Sequence, residues 1–276
     1  MAPDDRAEVR IARARSFLFV PGDRPERFDK AVASGADIVV LDLEDAVAPD
    51  IKTDARQAIA AWLRDGGEAM VRINASDTAW FEHDLALSDH PGLLGFMLPK
   101  AEAAAPLARV TALKPTVALV ESARGIADLM AIATMPGVVR IAFGTIDLAL
   151  DLGTSSEDLL RTIGAQIVVS SRACGIAAPI DGVTTILRDA DIISAATRDA
   201  RARGFGAKLC IHPTQIDPVH RALRPSDDEI ANAKRIIEAD RAATGAAVSL
   251  NGIMIDKPIV AQAIRVLADA GANGPF

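Results

Sequence analysis

Cysteine is scarce here, with only Cys174 and Cys210 among 276 residues, each inside an apolar stretch, RACGIAAP and AKLCIHP. Two thiols in such settings read as buried and reduced, which argues against a disulfide framework. Basic side chains are also in deficit: 30 Lys and Arg stand against 37 Asp and Glu, a formal net charge of −7. No nucleic-acid partner is expected from that balance, because phosphate backbones bind clustered Lys and Arg; a local basic pocket for a small or CoA-like anion stays compatible with it. No apolar run approaches the ~20 residues that cross a bilayer, so no membrane partner is expected either. The opening MAPDDRAEVRIARARS mixes charges with short apolar steps and lacks the continuous apolar core of a signal peptide. A cytoplasmic protein is the expectation. Internal repeats, low-complexity segments and Gly/Ser linkers are missing too, which favours one main domain.

From Ser16 onward, short β-rich apolar runs alternate with Ala-rich stretches of helical periodicity. This alternation predicts βα units around a parallel sheet. Eight strands are expected, at residues 17–21, 38–42, 69–73, 95–99, 116–120, 138–143, 177–180 and 207–211, so the predicted fold class is α/β, a closed (β/α)8 TIM barrel. An open doubly wound sheet is the runner-up, but after the first strand PGDRPERF stands where a G-x-G-x-x-G fingerprint would be needed. The expected division is an N-terminal extension at residues 1–15, the barrel at 16–224 and a C-terminal helical or lid segment at 225–276. That last segment leaves the barrel rhythm: a helical pattern is followed by AVSLNGIMIDKP, a short β-like excursion with Asn-Gly as its turn, and then by IVAQAIRVLADAGA. A closed barrel has no need of it. It is a candidate lid over the barrel mouth or against another subunit.

Parallel β/α folds place their chemistry where strands end, and two acids stand at such places: Glu121 in TVALVESARG and Asp147 in VVRIAFGTIDLALDLG. Two carboxylates completed by water suit a hard divalent ion such as Mg²⁺, which takes few protein oxygens and keeps much of its hydration. Asp151 is a rival ligand in the same segment, with a turn or cap as its other reading. Arg72, ending the AMVRIN run, adds a fixed cation that can hold a carboxylate with a planar fork of donors. The backbone amides of Gly144, Thr145 and Ile146, entering a helix, could hold a carboxylate as well. Asp42, Glu44 and Asp45 crowd the end of strand two in LDLEDAV. Glu44 and Asp45 are favoured as groups behind the metal and Arg72, against the reading of an ordinary acidic loop. Lys100 in LPKAE could be imagined as a Schiff-base lysine, and His212 in IHPTQI as a base or a satisfied structural group. His83, His90 and His220 lack metal-ligand spacing and are given no role.

The segment RSFLFVPGDRPERFDKAVASGADIVVLDLEDAVAPDIKTD is followed in order by VRIN, MLPKAE, VESARG, FGTIDLALDLG, APIDGV, KLCIHPTQI and NGIMIDKP. In these motifs, which run through nearly the whole chain, the sequence resembles the citrate lyase β-subunit-like branch of the HpcH/HpaI aldolase superfamily. The members of that branch are Mg²⁺-dependent enzymes that cleave or form carbon–carbon bonds in citryl, citramalyl and malyl thioesters. The resemblance implies one Mg²⁺ per subunit on Glu121 and Asp147, and Arg72 on the substrate's carboxylate or thioester oxygen. It implies CoA phosphates near Arg24 and Lys30, for which a plain solvated helix face is the competing account. It also implies Asp256, in the M-I-D segment, as an acid donated by the lid of a neighbouring subunit in a homo-oligomer, a trimer or hexamer; burial among Ile, Met and Pro would raise its pKa. The expected activity is reverse Claisen cleavage of a β-hydroxyacyl-CoA of citramalyl or malyl type, with the CoA thioester as substrate. A citrate lyase β subunit working on an acyl-carrier-protein thioester, or a non-catalytic binding barrel, stays open beside it.

Overall fold

The apolar runs become strands because each is buried on both faces, as strands of a barrel wrapped by helices must be; β2, β5 and β6 have no exposed residue. The computed structural model describes residues 3–242, 248–250 and 253–271. Its elements form two compact units, Met1–His220 and Arg221–Phe276.

In the first unit the strands are β1 (Ser16–Pro21), β2 (Ile38–Asp42), β3 (Ala69–Arg72), β4 (Leu93–Leu98), β5 (Thr116–Val120), β6 (Val138–Phe143), β7 (Ile180–Asp181) and β8 (Ala207–Cys210). All pairings are parallel and follow chain order, and β8 pairs with β1 to close the barrel. The expected (β/α)8 fold is therefore the observed one. The largest displacement is in β7, expected at 177–180. Pro179 has no N–H to give to the ladder, so pairing is carried by isolated bonds, Ala177 N to Val139 O and Gly206 N to Pro179 O, until Ile180.

Helices α1 (Pro3–Arg13), α2 (Phe28–Ala33), α3 (Lys52–Arg64), α4 (Phe81–Leu85), α5 (Ala105–Leu113), α6 (Ala123–Ala127), α7 (Leu129–Ala133), α8 (Thr145–Asp151), α9 (Glu157–Ala173) and α10 (Ala190–Arg203) belong to this unit. The stretch expected as one helix after β5 is broken at Asp128, whose ψ of 4° leaves the helical region and whose carboxylate accepts the Ala103 amide.

Residues 1–15, expected only as an extension, carry α1. Ala7, Ile11 and Ala14, spaced to share one helix face, enter the barrel core beside Phe17, Ile38, Leu94 and Val139 at the starting ends of the strands. Arg140 of β6, 1% exposed, fixes the helix there by donating to Ile11 O (3.2 Å), Ala14 O (2.6 Å) and Ala178 O (2.7 Å). A guanidinium on the last carbonyls of a helix satisfies acceptors that have no intrahelical partner and meets the negative end of the dipole. Cys210 is buried and free, its thiol pushed up to about 12 by burial; Cys174, expected to be buried, is half-buried after α9.

Helix α11 (Ile216–Leu223) leads into the second unit, where α12 (Asp227–Ala242), the antiparallel pair β9 (Val248–Leu250) and β10 (Ile253–Ile255), and α13 (Lys257–Asp269) follow. Ala233 and Ile237 of α12 pack on Ala263 and Leu267 of α13. The expected Asn-Gly turn lies outside the described residues. Among the described residues no helix is long and apolar enough to cross a membrane.

Candidate functional site

A cavity of about 390 Å³ opens where the strands end, walled by Phe19, Leu119, Phe143, Val183 and Leu209 and carrying Asp42, Asp45, Arg72, Glu121 and Asp147 as its charged groups. Four acids and one guanidinium in a largely apolar cup form a cation-seeking arrangement.

Arg72 is the last residue of β3 and sits in register with Asp42, the last of β2. Its Nε donates to Asp42 Oδ1 at 2.8 Å and its Nη2 to Oδ2 at 2.6 Å, a two-pronged pair, and its guanidinium lies 4.9 Å from the centre of the Phe19 ring. Glu44 Oε2 lies 3.0 Å from Nη1, off the N–H direction, so it forms an ion pair without a hydrogen bond; Asp45 stands farther out at 3.9 Å. Burial works to lower the Arg72 pKa, but the Asp42 hydrogen bonds and the surrounding acids outweigh it, and the guanidinium is held charged. Glu44 and Asp45 thus do flank Arg72, yet the tightest grip is that of Asp42, which residue-by-residue reading left without a role. The signal for it was its place at a strand end beside Arg72, visible only once the β2–β3 register is known.

The acidic turn after β2 is pinned from below. Lys52 of α3, 5% exposed, donates to Leu43 O and Glu44 O, both at 2.7 Å, under the Trp80 ring. Burial raises the Glu44 carboxyl to about 7; Arg72 opposes this, and Asp45 and Asp42 add to it. Beyond β3, Asp84 of α4, fully buried, accepts from the Asn74 backbone and side-chain amides (2.9 and 2.7 Å) and from Arg56 (2.7 Å), fixing the loop as it leaves Arg72.

Glu121 follows β5 and is 4% exposed. Its Oε1 accepts the backbone N–H of Lys100 at 2.8 Å. Burial pushes it up to about 8, against the Lys100 hydrogen bond and with help from the neighbouring Glu44 and Asp147 charges. Asp147 comes from the first turn of α8 and faces the same cavity. Asp151, the rival, accepts the Ala123 amide at 2.6 Å and so ties the end of α8 to the start of α6. Among the described residues no group of three or more His, Cys, Asp or Glu is set to hold a metal. A two-carboxylate donor set, one member with its pKa raised by burial among other acids, fits a hard divalent ion that brings its own waters and does not fit a tetrahedral zinc site.

Gly144, Thr145 and Ile146 all line the cavity, but the Gly144 N–H donates to Val120 O at 2.9 Å, so the amides with no partner along the helix are those of Thr145 and Ile146. Arg24 and Lys30 are exposed, in the loop after β1 and on α2, and neither lines the cavity. Asp256, in the second unit, is the N-cap of α13 and accepts from Ile259 N at 3.3 Å. His212 caps the turn that follows β8, with Nδ1 on Thr214, and His220 bonds Ser16 Oγ at 2.8 Å. Both histidines are satisfied within the fold, and the Lys100 side chain is exposed outside the cavity lining.

Residues 15–213 match the HpcH/HpaI aldolase/citrate lyase family. The chain belongs to this family. Among HpcH/HpaI relatives, the citrate lyase subunit beta-like protein of Mycobacterium tuberculosis is 39% identical over 268 residues, covering 94% of this chain and 97% of that one. A (3S)-malyl-CoA thioesterase of Cereibacter sphaeroides is 34% identical over 276 residues, covering 95% and 96%. The crystal structure of M. tuberculosis protein CitE in complex with magnesium, acetoacetate and coenzyme A matches with a TM-score of 0.85 at 38% identity, over 94% of this chain and 99% of that one.

Proposed function

We propose that this HpcH/HpaI family member is a Mg²⁺-dependent carbon–carbon lyase that cleaves a β-hydroxyacyl-CoA of citramalyl or malyl type into acetyl-CoA and an α-keto or aldehyde acid. The observation that carries this reading is the meeting, in one cavity, of the Glu121 and Asp147 carboxylates with the guanidinium of Arg72. Glu121 and Asp147 would hold the ion, and CitE of M. tuberculosis, whose fold this chain shares, has been crystallised with magnesium, acetoacetate and coenzyme A. When bound, magnesium supplies positive charge that favours loss of the substrate's hydroxyl proton.

Arg72, locked by Asp42, presents a charge that needs no reorganisation as the reaction proceeds. In the cleavage the hydroxyl proton leaves to water, the bond between the hydroxyl-bearing carbon and the thioester α-carbon breaks, and its electron pair becomes the thioester enolate, whose oxygen Arg72 stabilises. Asp256, from a neighbouring subunit of a homo-oligomer, gives its proton to the enolate carbon to form the methyl of acetyl-CoA. The amides of Thr145 and Ile146 orient the acid's carboxylate, the apolar wall limits water, and Arg24 and Lys30 meet the CoA phosphates.

A second reading, hydrolysis of a malyl-CoA thioester, is favoured by the Cereibacter relative, and a third is a citrate lyase β subunit acting on a carrier-protein thioester. Incubation of the purified protein and Mg²⁺ with a panel of β-hydroxyacyl-CoA thioesters and the matching acyl-carrier-protein thioesters separates them. The lyase yields acetyl-CoA and keto acid in equal amounts. Free CoA with intact malate means hydrolysis, and turnover restricted to carrier-protein thioesters means the third; either result overturns the lyase reading.

A further inference from the structure

Glu121 is held from two sides by backbone alone. On one side is Lys100, just after β4, whose φ of +48° is the only positive value at a non-glycine among the described residues. L-residues with a Cβ seldom adopt that conformation, and where they do, the surrounding structure enforces it. Here the bend aims the Lys100 N–H at Glu121 Oε1, 2.8 Å away. The ammonium is not what the site uses, since the Lys100 side chain is exposed and outside the cavity lining. On the other side is Gly144, just after β6. Its φ of −81° suits any residue, so glycine is required there for room and not for conformational freedom. A Cβ on Gly144 would fall 2.4 Å from Glu121 Cβ and 2.6 Å from Oε2. The strands β4, β5 and β6 are neighbours, so the carboxylate is flanked by the residues that follow the strands on either side.

We propose that Lys100 and Gly144 are positioning residues that clamp Glu121, the Lys100 amide occupying Oε1 and the bare backbone at Gly144 leaving Oε2 as the oxygen presented to a divalent cation. This rests on the reading of Glu121 as a metal ligand. The clamp fixes the ligand before the ion arrives, as outer contacts of metal-binding carboxylates do.

Calorimetric titration of the full-length protein with Mg²⁺ tests it, alongside thermal melts that confirm folding. Lys100→Pro removes the N–H, and Gly144→Ala places a methyl against the carboxylate; each is expected to weaken Mg²⁺ binding about 10–100-fold. Lys100→Gly keeps the amide, suits the positive φ and removes the ammonium, so as the conservative variant it is expected to keep wild-type affinity. Wild-type affinity in either Lys100→Pro or Gly144→Ala overturns the clamp, as does a loss in Lys100→Gly as large as that in Lys100→Pro. If Lys100→Pro does not fold, Gly144→Ala and Lys100→Gly decide the matter. Glu121→Gln is the control for the underlying reading: unchanged binding there removes the metal assignment itself, whereas its loss beside an unaffected Gly144→Ala removes only the clamp.

Discussion

Glu121 and Glu44 are carboxyls whose ionised forms burial disfavours, and each has a consequence that can be measured in the protein stripped of metal. Their pKa values rise from 4.5 to about 8 and about 7 in the folded state. Between the unfolded and folded values the native state binds more protons than the unfolded one, so stability falls as pH rises through this window. The melting temperature of EDTA-treated protein is therefore expected to drop from pH 5 to pH 8. Mg²⁺ binds the deprotonated carboxylate, so its stabilising shift is expected to be larger at pH 8 than at pH 5; equal shifts at the two pH values would contradict the assignment. Asp42 is the other residue with a sharp expectation. Asp42→Ala leaves the buried Arg72 without its two-pronged partner, which is expected to destabilise by about 3–5 kcal/mol in urea unfolding and to lower kcat/KM at least tenfold. Glu121, Asp147 and Arg72 were legible in the sequence because each closes or follows an apolar run, a local pattern. The role of Asp42, and the amide of Lys100 behind Glu121, were not, because both depend on which residue of one strand lies beside which residue of the next.

Among the elements, the barrel strands could be read almost directly, since burial on both faces makes them continuous apolar runs. Helix α1 escaped because its buried face is narrow: Ala7, Ile11 and Ala14 are separated by charged residues, and two of the three are alanines. It is nonetheless part of the core. Ile11 is fully buried and its Cδ1 approaches Gly95 of β4. Ile11→Ala is expected to cost about 2–5 kcal/mol by denaturant titration, while Val9→Ala on the exposed side of the same helix should change stability by less than about 0.5 kcal/mol. Equal, small effects would mean that α1 does not seal the barrel in solution. The brevity of β7 follows from Pro179, which has no N–H to give to the ladder.

For the whole molecule, the proposed chemistry needs Arg72 of the first unit and Asp256 of the second to act on one substrate, with the acid supplied by a neighbouring chain. Arg72→Ala and Asp256→Ala are each expected to be inactive alone. Mixed and reassembled, they should regain part of the wild-type turnover, because some sites then combine an intact Arg72 with an intact Asp256. No recovery after verified subunit exchange would place both residues in the same chain's site or remove Asp256 from the reaction.

The local pattern of this chain was enough to specify a (β/α)8 barrel and to pick out Glu121, Asp147 and Arg72. Strand periodicity, and acids or bases at the ends of apolar runs, are properties of neighbouring residues and need no partner to be seen. Only the tertiary structure decided how those groups are held: Asp42 on Arg72 through the β2–β3 register, Lys52 under the acidic turn, Lys100 and Gly144 on either side of Glu121, and α1 in the base of the barrel. Apart from the local Lys52 contact, each of these joins residues far apart in the chain, and it exists because the barrel fixes which strand ends meet.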